Sequence, residues 1–527
     1  MTSLIDLNRE ENYLVKATLI VRGTEINGVP CKIYLPERIH EKPYVLLKPS
    51  KQDANQILAS YKGALKATIY GFDGEIKTTI AAPEVYFSGG STKRWGDDIS
   101  ETTVPGEPQD LHIIHHLEND AYGDETHILF WISPNEFLTP FMAFTNSYTG
   151  EIKCERVENI EFTIKDGLKL VFEKHFNYRT EENRGLLRWS FLVACAELNI
   201  PSIDVETLKN NTLNDIDDFL LIASFTARKR TACVGWTATD KNSHTTFYRG
   251  NYTFPQKDNN TSLDDGIVDI KDFKRFMETC YPTFLRFENK LALRNAFYAA
   301  VPSKPHTIET SFLHMFAGLE TLILDFKRRE NLEFVLPENV WLTLKKYLEK
   351  CVKKSTNPKL EREQRASIYC KLDELNRVSF REAFEGFCEK YSIDLVDLWP
   401  VFGKKGVKGL TDIRNKLIHG DPFPHDLFGA LIVANEHLQY TLERVLVRVL
   451  GWDVGETKVK PSYLRVNLCA IKELPSALVR LSEYMRNQES VKEMSSGEVN
   501  TGPIPEFCEK GTAQRQKSES DDSKAEK

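Results

Sequence analysis

Up to Pro255 the apolar residues sit in short runs rich in β-branched and aromatic side chains, and beyond it they recur at steps of three and four. The first pattern predicts strands over 13–21, 31–35, 44–47, 67–70, 127–132, 141–145, 160–164 and 168–172, punctuated by Asn27-Gly28, Asp73-Gly74 and Asp166-Gly167. A second group, 219–227, 231–237 and 245–252, closes this region. Residues 1–255 therefore read as a β-rich N-terminal domain, sandwich-like, with minor helices.

A polar connection, 256–266, leads into the second pattern. Phe273, Phe276, Met277, Leu285, Leu291, Leu293 and Phe297 predict one or two helices broken near Pro282. Phe312, Phe316, Leu319, Ile323 and Phe326 form the apolar stripe of a core helix, as do Leu427, Leu431, Ala434, Leu438, Leu442, Val445 and Val449. Stretches 340–351 and 367–391 are further helical segments. Residues 265–487 thus read as an all-α domain, giving an α+β fold class overall. From 488 to 527 Ser, Glu and Lys dominate, so burial cannot offset the entropy of ordering, and a disordered tail is expected.

Composition narrows the function classes only modestly. The 527 residues are 41% hydrophobic and 28% charged, the balance of a globular chain, and too many for one ordinary core. A net charge of -7 argues against a surface coated in basic residues, although a local patch can still hold RNA. The ten cysteines contain no Cys-x-x-Cys pair, which disfavours zinc ribbons and disulfide scaffolds. No stretch approaches the roughly 20 apolar residues of a membrane helix, and no leader pattern opens the chain, so a reducing cytoplasm is the expected address and no membrane the expected surroundings. No phosphate loop or dinucleotide-binding turn is present, and no cofactor is expected.

The chemistry concentrates at Arg414, Asn415, Lys416, Leu417, Ile418, His419 and Gly420. Asp412, or Thr411 before it, is the expected N-cap of a short helix that Gly420 and Pro422 end. His419 then falls in the last turn, where the negative end of the helix dipole suits a protonated ring. Five residues of helix rotate by roughly 140° and rise about 7.5 Å, so Arg414 and His419 do not share a face. Their convergence needs a long arginine side chain, a distorted last turn, or another chain.

Glu320 lies among Phe316, Ala317, Ile323 and Leu324 on its expected helix, and a carboxylate in an apolar surface calls for a cation. Arg414 is the candidate, because a planar guanidinium can satisfy a carboxylate and still present N–H groups elsewhere. Lys404, Lys405 and Lys408, just upstream, could reach an RNA backbone or simply belong to a solvated loop. The run Lys345, Lys346, Lys350, Lys353, Lys354 and Lys359 reads first as a solvated helix face. His112, His115 and His116, with Glu118 and Asp120 following, match no metal spacing and read as a polar strand or loop. The pairs Asp217-Asp218 and Asp264-Asp265 read as solvated turns or caps.

The run Ile413-Arg414-Asn415 through His419-Gly420, following a helix that reads Phe316-Ala317-Gly318-Leu319-Glu320-Thr321-Leu322, resembles the HEPN domain in its Apea-like branch. The resemblance covers roughly residues 265–455, and a β-rich region ahead of such a domain is similar to the layout of ApeA-type anti-phage proteins. It implies a helical bundle that forms a homodimer and cleaves RNA without a metal in antiviral defence. Arg414 and His419 carry over as catalytic, Asn415 and Glu320 as supporting residues. Some relatives carry a modifiable Tyr two positions after the His, where this chain has Asp421.

The chemistry is coherent on its own terms. The RNA 2′-OH can attack the neighbouring phosphate if a base, an acid and cations are supplied. One His419 per chain is too few, so two chains sharing a cleft are expected. A non-catalytic module binding RNA or a protein, or a ligand-binding β domain with the bundle as dimeriser, also fits the residues. The resemblance further implies a phage-derived trigger or regulatory protein as a partner of the β-rich region.

Overall fold

A computed structural model describes residues 13–497 except positions 22, 37–41, 51, 55–56, 58–64, 74–77, 88–90, 96–97, 118–125, 147–151, 157–159, 166–167, 182–184, 199–207, 209–211, 251–264, 303–305, 356–357, 405 and 422. The amino-terminal strands are β1 (Tyr13–Val21), β2 (Thr24–Tyr34), β3 (Tyr44–Leu47), β4 (Leu65–Asp73), β5 (Thr78–Phe87), β6 (Ser91–Trp95), β7 (Asp98–Pro108) and β8 (Asp110–His116). Strand β1 alternates strictly, sending Tyr13, Val15, Ala17, Leu19 and Val21 inward, as its period-2 pattern predicts.

Six of these strands close on themselves in the order β5-β4-β1-β2-β3-β7, each pair antiparallel, with β5 returning to β7 through Val85–Pro108 and Phe87–Gly106. The expected sandwich is therefore a closed barrel. Its closing strands, β5 and β7, carry prolines and polar residues inside TTIAAPEVYF and DISETTVPGEP, which masks their strand character. Closure gives each of these six strands a neighbour on both sides over part of its length. Strand β5 divides along its length: residues 85–87 pair with β7, whereas residues 78–81 pair with β8 and continue the sheet outward.

That continuation uses β9 (Thr126–Ile132), a small hairpin apart from it of β10 (Met142–Asn146) and β11 (Ile152–Arg156), then β12 (Ile160–Lys165), β13 (Leu168–Glu181), β14 (Gly185–Leu198), β15 (Cys233–Thr239) and β16 (Ser243–Arg249). From β8 the order is β16-β15-β9-β14-β13-β12. This part of the sheet is covered on both faces. Trp131, Val193, Val234 and Tyr248 join the barrel core, while Phe130, Ile132, Ala194, Trp236 and Phe247 face the helices.

Between β14 and β15 lies α1 (Leu213–Ala227), where a strand over 219–227 was expected. Its residues are buried nearly all round, so the run is continuously apolar and its period is unreadable. The remaining helices are α2 (Ile270–Arg286), α3 (Lys290–Ala300), α4 (Ile308–Arg329), α5 (Glu338–Lys354), α6 (Arg362–Lys371), α7 (Phe380–Tyr391), α8 (Leu410–Ile418), α9 (Phe428–Val449), α10 (Pro461–Asn467) and α11 (Cys469–Gly497). Pro282 lies inside α2, and the break comes instead before Asn289, whose side chain caps α3 by accepting from the Ala292 N–H at 3.2 Å.

The tail expected from 488 begins inside α11, which runs to Gly497; Glu and Lys suit an exposed helix as well as a disordered segment, so composition alone could not separate them. One apolar cluster extends from Ile128 on β9 to Met485 on α11, so residues on both sides of position 255 share a core. No helix among the described residues is long and apolar enough to cross a membrane.

Neither residue of Asp217-Asp218 is the solvated cap expected from sequence. Asp217 receives both terminal nitrogens of Arg249 from β16 at 2.9 Å, and the buried Asp218 receives Arg294 from α3 at 2.6 Å twice. Asp265 accepts from Arg228 through its backbone oxygen, and Asp264 lies outside the described residues. His112, His115 and His116 do form a polar strand, β8; His115 bonds Thr78 at 2.9 Å and Tyr13 at 3.2 Å, and Glu118 and Asp120 lie outside the described residues. In the lysine-rich α5 only Trp341 is buried, and Lys345 pairs with Asp373 at 2.7 Å.

Candidate functional site

The short α8 is fixed at both ends before its polar side chains come into play. Its N-cap is Gly409, rather than Thr411 or Asp412, and Asp412 reaches back from the third helical position to accept from the Gly409 N–H at 2.7 Å. A side chain at 409 would meet the Gly403 nitrogen and the Phe402 carbonyl carbon at 2.5 Å, so only glycine fits where the loop 403–409 folds back on itself. Backbone bonds from Leu410 to Pro400 at 3.0 Å and from Thr411 to Val401 at 2.9 Å tie the helix start to the preceding chain.

At the other end Gly420 adopts φ 75°, the Gly420 N–H bonds the Leu417 oxygen and the Asp421 N–H bonds the Lys416 oxygen, a Schellman motif. Leu410 and Ile413 are buried, which sets the opposite side of the helix toward solvent.

Arg414 meets Glu320 of α4, as the apolar surroundings of that carboxylate required. Its Nη2 lies 2.9 Å from Oε1 and 3.0 Å from Oε2, with the two side chains 30% and 27% exposed. Nη1 donates to the Asn415 Oδ1 at 3.1 Å, and the guanidinium carbon stands 5.9 Å from the centre of the Phe316 ring, one turn before Glu320. The guanidinium is thus held on three sides. Of its five N–H groups, one on Nη1 and one on Nη2 make the hydrogen bonds to Asn415 and Glu320. Because Asn415 spends its oxygen on Arg414, its amide nitrogen is left as an exposed donor.

His419 stands at the C-cap with its ring exposed, and the hydrogen bonds of Arg414 run to Glu320 and Asn415 rather than to it. One chain therefore unites Arg414, Asn415 and Glu320 and leaves His419 apart, as the helical rotation between positions 414 and 419 demands.

No family model matches this chain, and no curated protein or solved structure matches it either.

Of the upstream lysines, Lys408 differs from expectation. Lys408 is not a mobile ammonium, because Glu489 on α11 holds it at 2.6 Å and leaves it 18% exposed. That partner lies in the stretch read from composition as tail, so the sequence concealed it. Lys404 is exposed in a tight turn closed by bonds of 3.0 and 2.9 Å with Val407, and Lys405 lies outside the described residues.

Lys416, inside the motif, was missed as a structural residue. Only 10% exposed, its ammonium lies over the rings of Phe423 and Tyr484 at 5.6 and 5.1 Å and 3.8 Å from the Asp421 carboxylate. It fastens the segment after the motif to α11, and no local sequence signal announces a ring so many residues away. The resulting surface offers a fixed cation, spare N–H donors, an amide and an imidazole, a set suited to a phosphate diester.

Proposed function

We propose that this chain is a HEPN-type endoribonuclease that acts as a homodimer and needs no metal for cleavage. The observation that carries the reading is the Arg414–Glu320 pair joining α8 to α4, with Asn415 oriented by the same guanidinium and His419 exposed just beyond.

In the dimer two copies of the motif face one cleft. One His419 takes the proton from the RNA 2′-OH as that oxygen attacks phosphorus. The other gives a proton to the departing 5′-oxygen, and the two Arg414 guanidiniums balance charge on the pentacoordinate phosphorane. The products are a 2′,3′-cyclic phosphate and a 5′-hydroxyl, and DNA, lacking the 2′-OH, is spared. Glu320 and Asn415 are positioning residues that act through Arg414. The resemblance of the motif to HEPN domains implies a role in defence against phage, with the β-rich region sensing a trigger.

The test is RNA cleavage in EDTA by the wild type, Arg414→Ala and His419→Ala. Loss in both variants is expected, and unchanged cleavage in both would overturn the assignment. The lack of a bond between His419 and Arg414 among the described residues favours a second reading, a module that binds RNA without turnover. Intact RNA with tight, salt-sensitive binding would select that reading.

A further inference from the structure

We propose that Glu173, His175 and Cys195 form a binding site for a Zn²⁺ ion on paired strands of the β-rich region, apart from the Arg414 surface. In the β13–β14 ladder Val171 is opposite Cys195, Glu173 opposite Val193 and His175 opposite Phe191. Opposed residues of an antiparallel pair point to the same face, as do residues two apart on a strand, so the register alone puts the carboxylate, imidazole and thiol together. That face is turned toward the barrel: Val193 belongs to the barrel core, and Phe191 and Cys195 pack against it.

The donor atoms all lie within 4.8 Å of one another, and among the described residues no other three His, Cys, Asp or Glu side chains come so close. Glu173 Oε2 is 3.0 Å from His175 Nε2, and the imidazole is 16% exposed. The Phe191 ring meets the imidazole edge-on, centroids 5.7 Å apart, and limits its rotation. A carboxylate and a histidine two residues apart on a strand make an ordinary ion pair. The thiol brought in from the neighbouring strand adds a third, softer donor to that pair.

One sulfur, one nitrogen and one oxygen donor match the borderline-soft character of Zn²⁺, with water as fourth ligand, better than the all-oxygen shells of Mg²⁺ or Ca²⁺. Tetrahedral coordination needs donors about 3.5 Å apart, which follows from bond lengths near 2.0–2.3 Å. The donors, within 4.8 Å of one another, have to draw together by about 1 Å to reach that spacing. Binding releases the thiol proton to solvent, so affinity falls as the pH is lowered.

The full chain, reduced and stripped with EDTA, is titrated with Co²⁺ as a spectroscopic probe. A thiolate-to-cobalt charge-transfer band and tetrahedral visible bands saturating at one equivalent, and displaced by Zn²⁺, are expected. Cys195→Ser removes the charge-transfer band, and Glu173→Gln and His175→Ala weaken binding. Serine at the exposed Cys351, Cys370 and Cys469 leaves the spectrum intact. No saturating band in the wild type, which requires no variant to fold, would overturn the site, as would a band that survives Cys195→Ser. The readout does not involve RNA, so it stands or falls separately from the nuclease reading.

Discussion

Replacing Glu320 tests whether Arg414 works because of where it is held. The pair is partly exposed, so its contribution to folding is small: about 1 kcal/mol, the upper end for screened ion pairs, is the expected loss in Glu320→Ala. The cost to function is larger and of another kind. Freed from Glu320, a guanidinium regains rotamer entropy of about 2 kcal/mol, which must be surrendered again in each productive complex and corresponds to about thirtyfold in rate. Asn415 and the Phe316 ring still restrict it, so a fall in kcat/KM of about tenfold is expected, with Glu320→Gln between the alanine variant and wild type because one acceptor remains. The assay is cleavage of end-labelled RNA in EDTA, with thermal melting of each variant alongside. In the double variant Arg414→Ala, Glu320→Ala no further loss should follow beyond Arg414→Ala alone, since Glu320 acts only through that arginine. A full additional loss in the Arg414→Ala background would refute the positioning role. So would wild-type cleavage by Glu320→Ala when Arg414→Ala is inactive.

Burial, and secondarily His115, lowers the pKa of His244 from its ordinary 6.5 to about 4, so the unfolded chain binds the proton more readily than the folded one. Stability from this group is complete above pH 6.5 and is lost as pH falls toward 4, by up to about 3 kcal/mol; urea midpoints across that window should slope accordingly, and His244→Gln should flatten them. Gly409→Ala drives a methyl into the Gly403 and Phe402 backbone and should cost about 1–3 kcal/mol while reducing RNA cleavage; a wild-type melting temperature would show that the loop yields. Arg228, at φ 52° after α1, donates to Glu443 at 2.8 and 2.6 Å, and Glu443 is 2% exposed. Arg228→Ala takes the cation from that carboxylate and leaves it the Gln439 amide at 3.0 Å, which should cost about 3 kcal/mol by denaturant unfolding, and adding Glu443→Gln should recover most of it.

Legibility followed whether a signal was local. Strands β1 and β3 could be read residue for residue because alternation over a half-buried surface is written in the side chains themselves. The barrel could not, since closure depends on β5 dividing its edge between β7 and β8, a pairing decision absent from either strand's pattern. Helix α1 was read as strand because burial on every side erases periodicity. At the site, the Arg414–Glu320 pair was inferable across 94 residues because a carboxylate on an apolar helix poses a problem that only a cation solves. Lys408 posed no such problem, as a lysine on a loop is content in water, so its capture by Glu489 left no trace. The thiol near His175 was equally silent, because the approach of Cys195 is set by the ladder register.

The adjacent acids Asp217 and Asp218 bear on how a β-rich region could govern the Arg414 site. Successive residues on a helix point about 100° apart, so the two carboxylates of α1 grip different bodies: Asp217 takes Arg249 of the sheet and Asp218 takes Arg294 of α3. Helix α3 in turn lies so close to α4 that a Cβ at Gly318 would stand 2.7 Å from the Ala299 methyl, and Gly318 precedes Glu320 by two residues. Sheet, α1, α3, α4 and Glu320 are therefore joined by forked ion pairs and a contact with no slack, elements that shift as units. For contiguity of this kind to carry a signal, one of these contacts must have two arrangements of comparable free energy. The ion pair at Asp217 is the place to look for the second arrangement. It is the more exposed of the two, at 22% against 7% for Asp218, so it can open to water at lower cost than its neighbour.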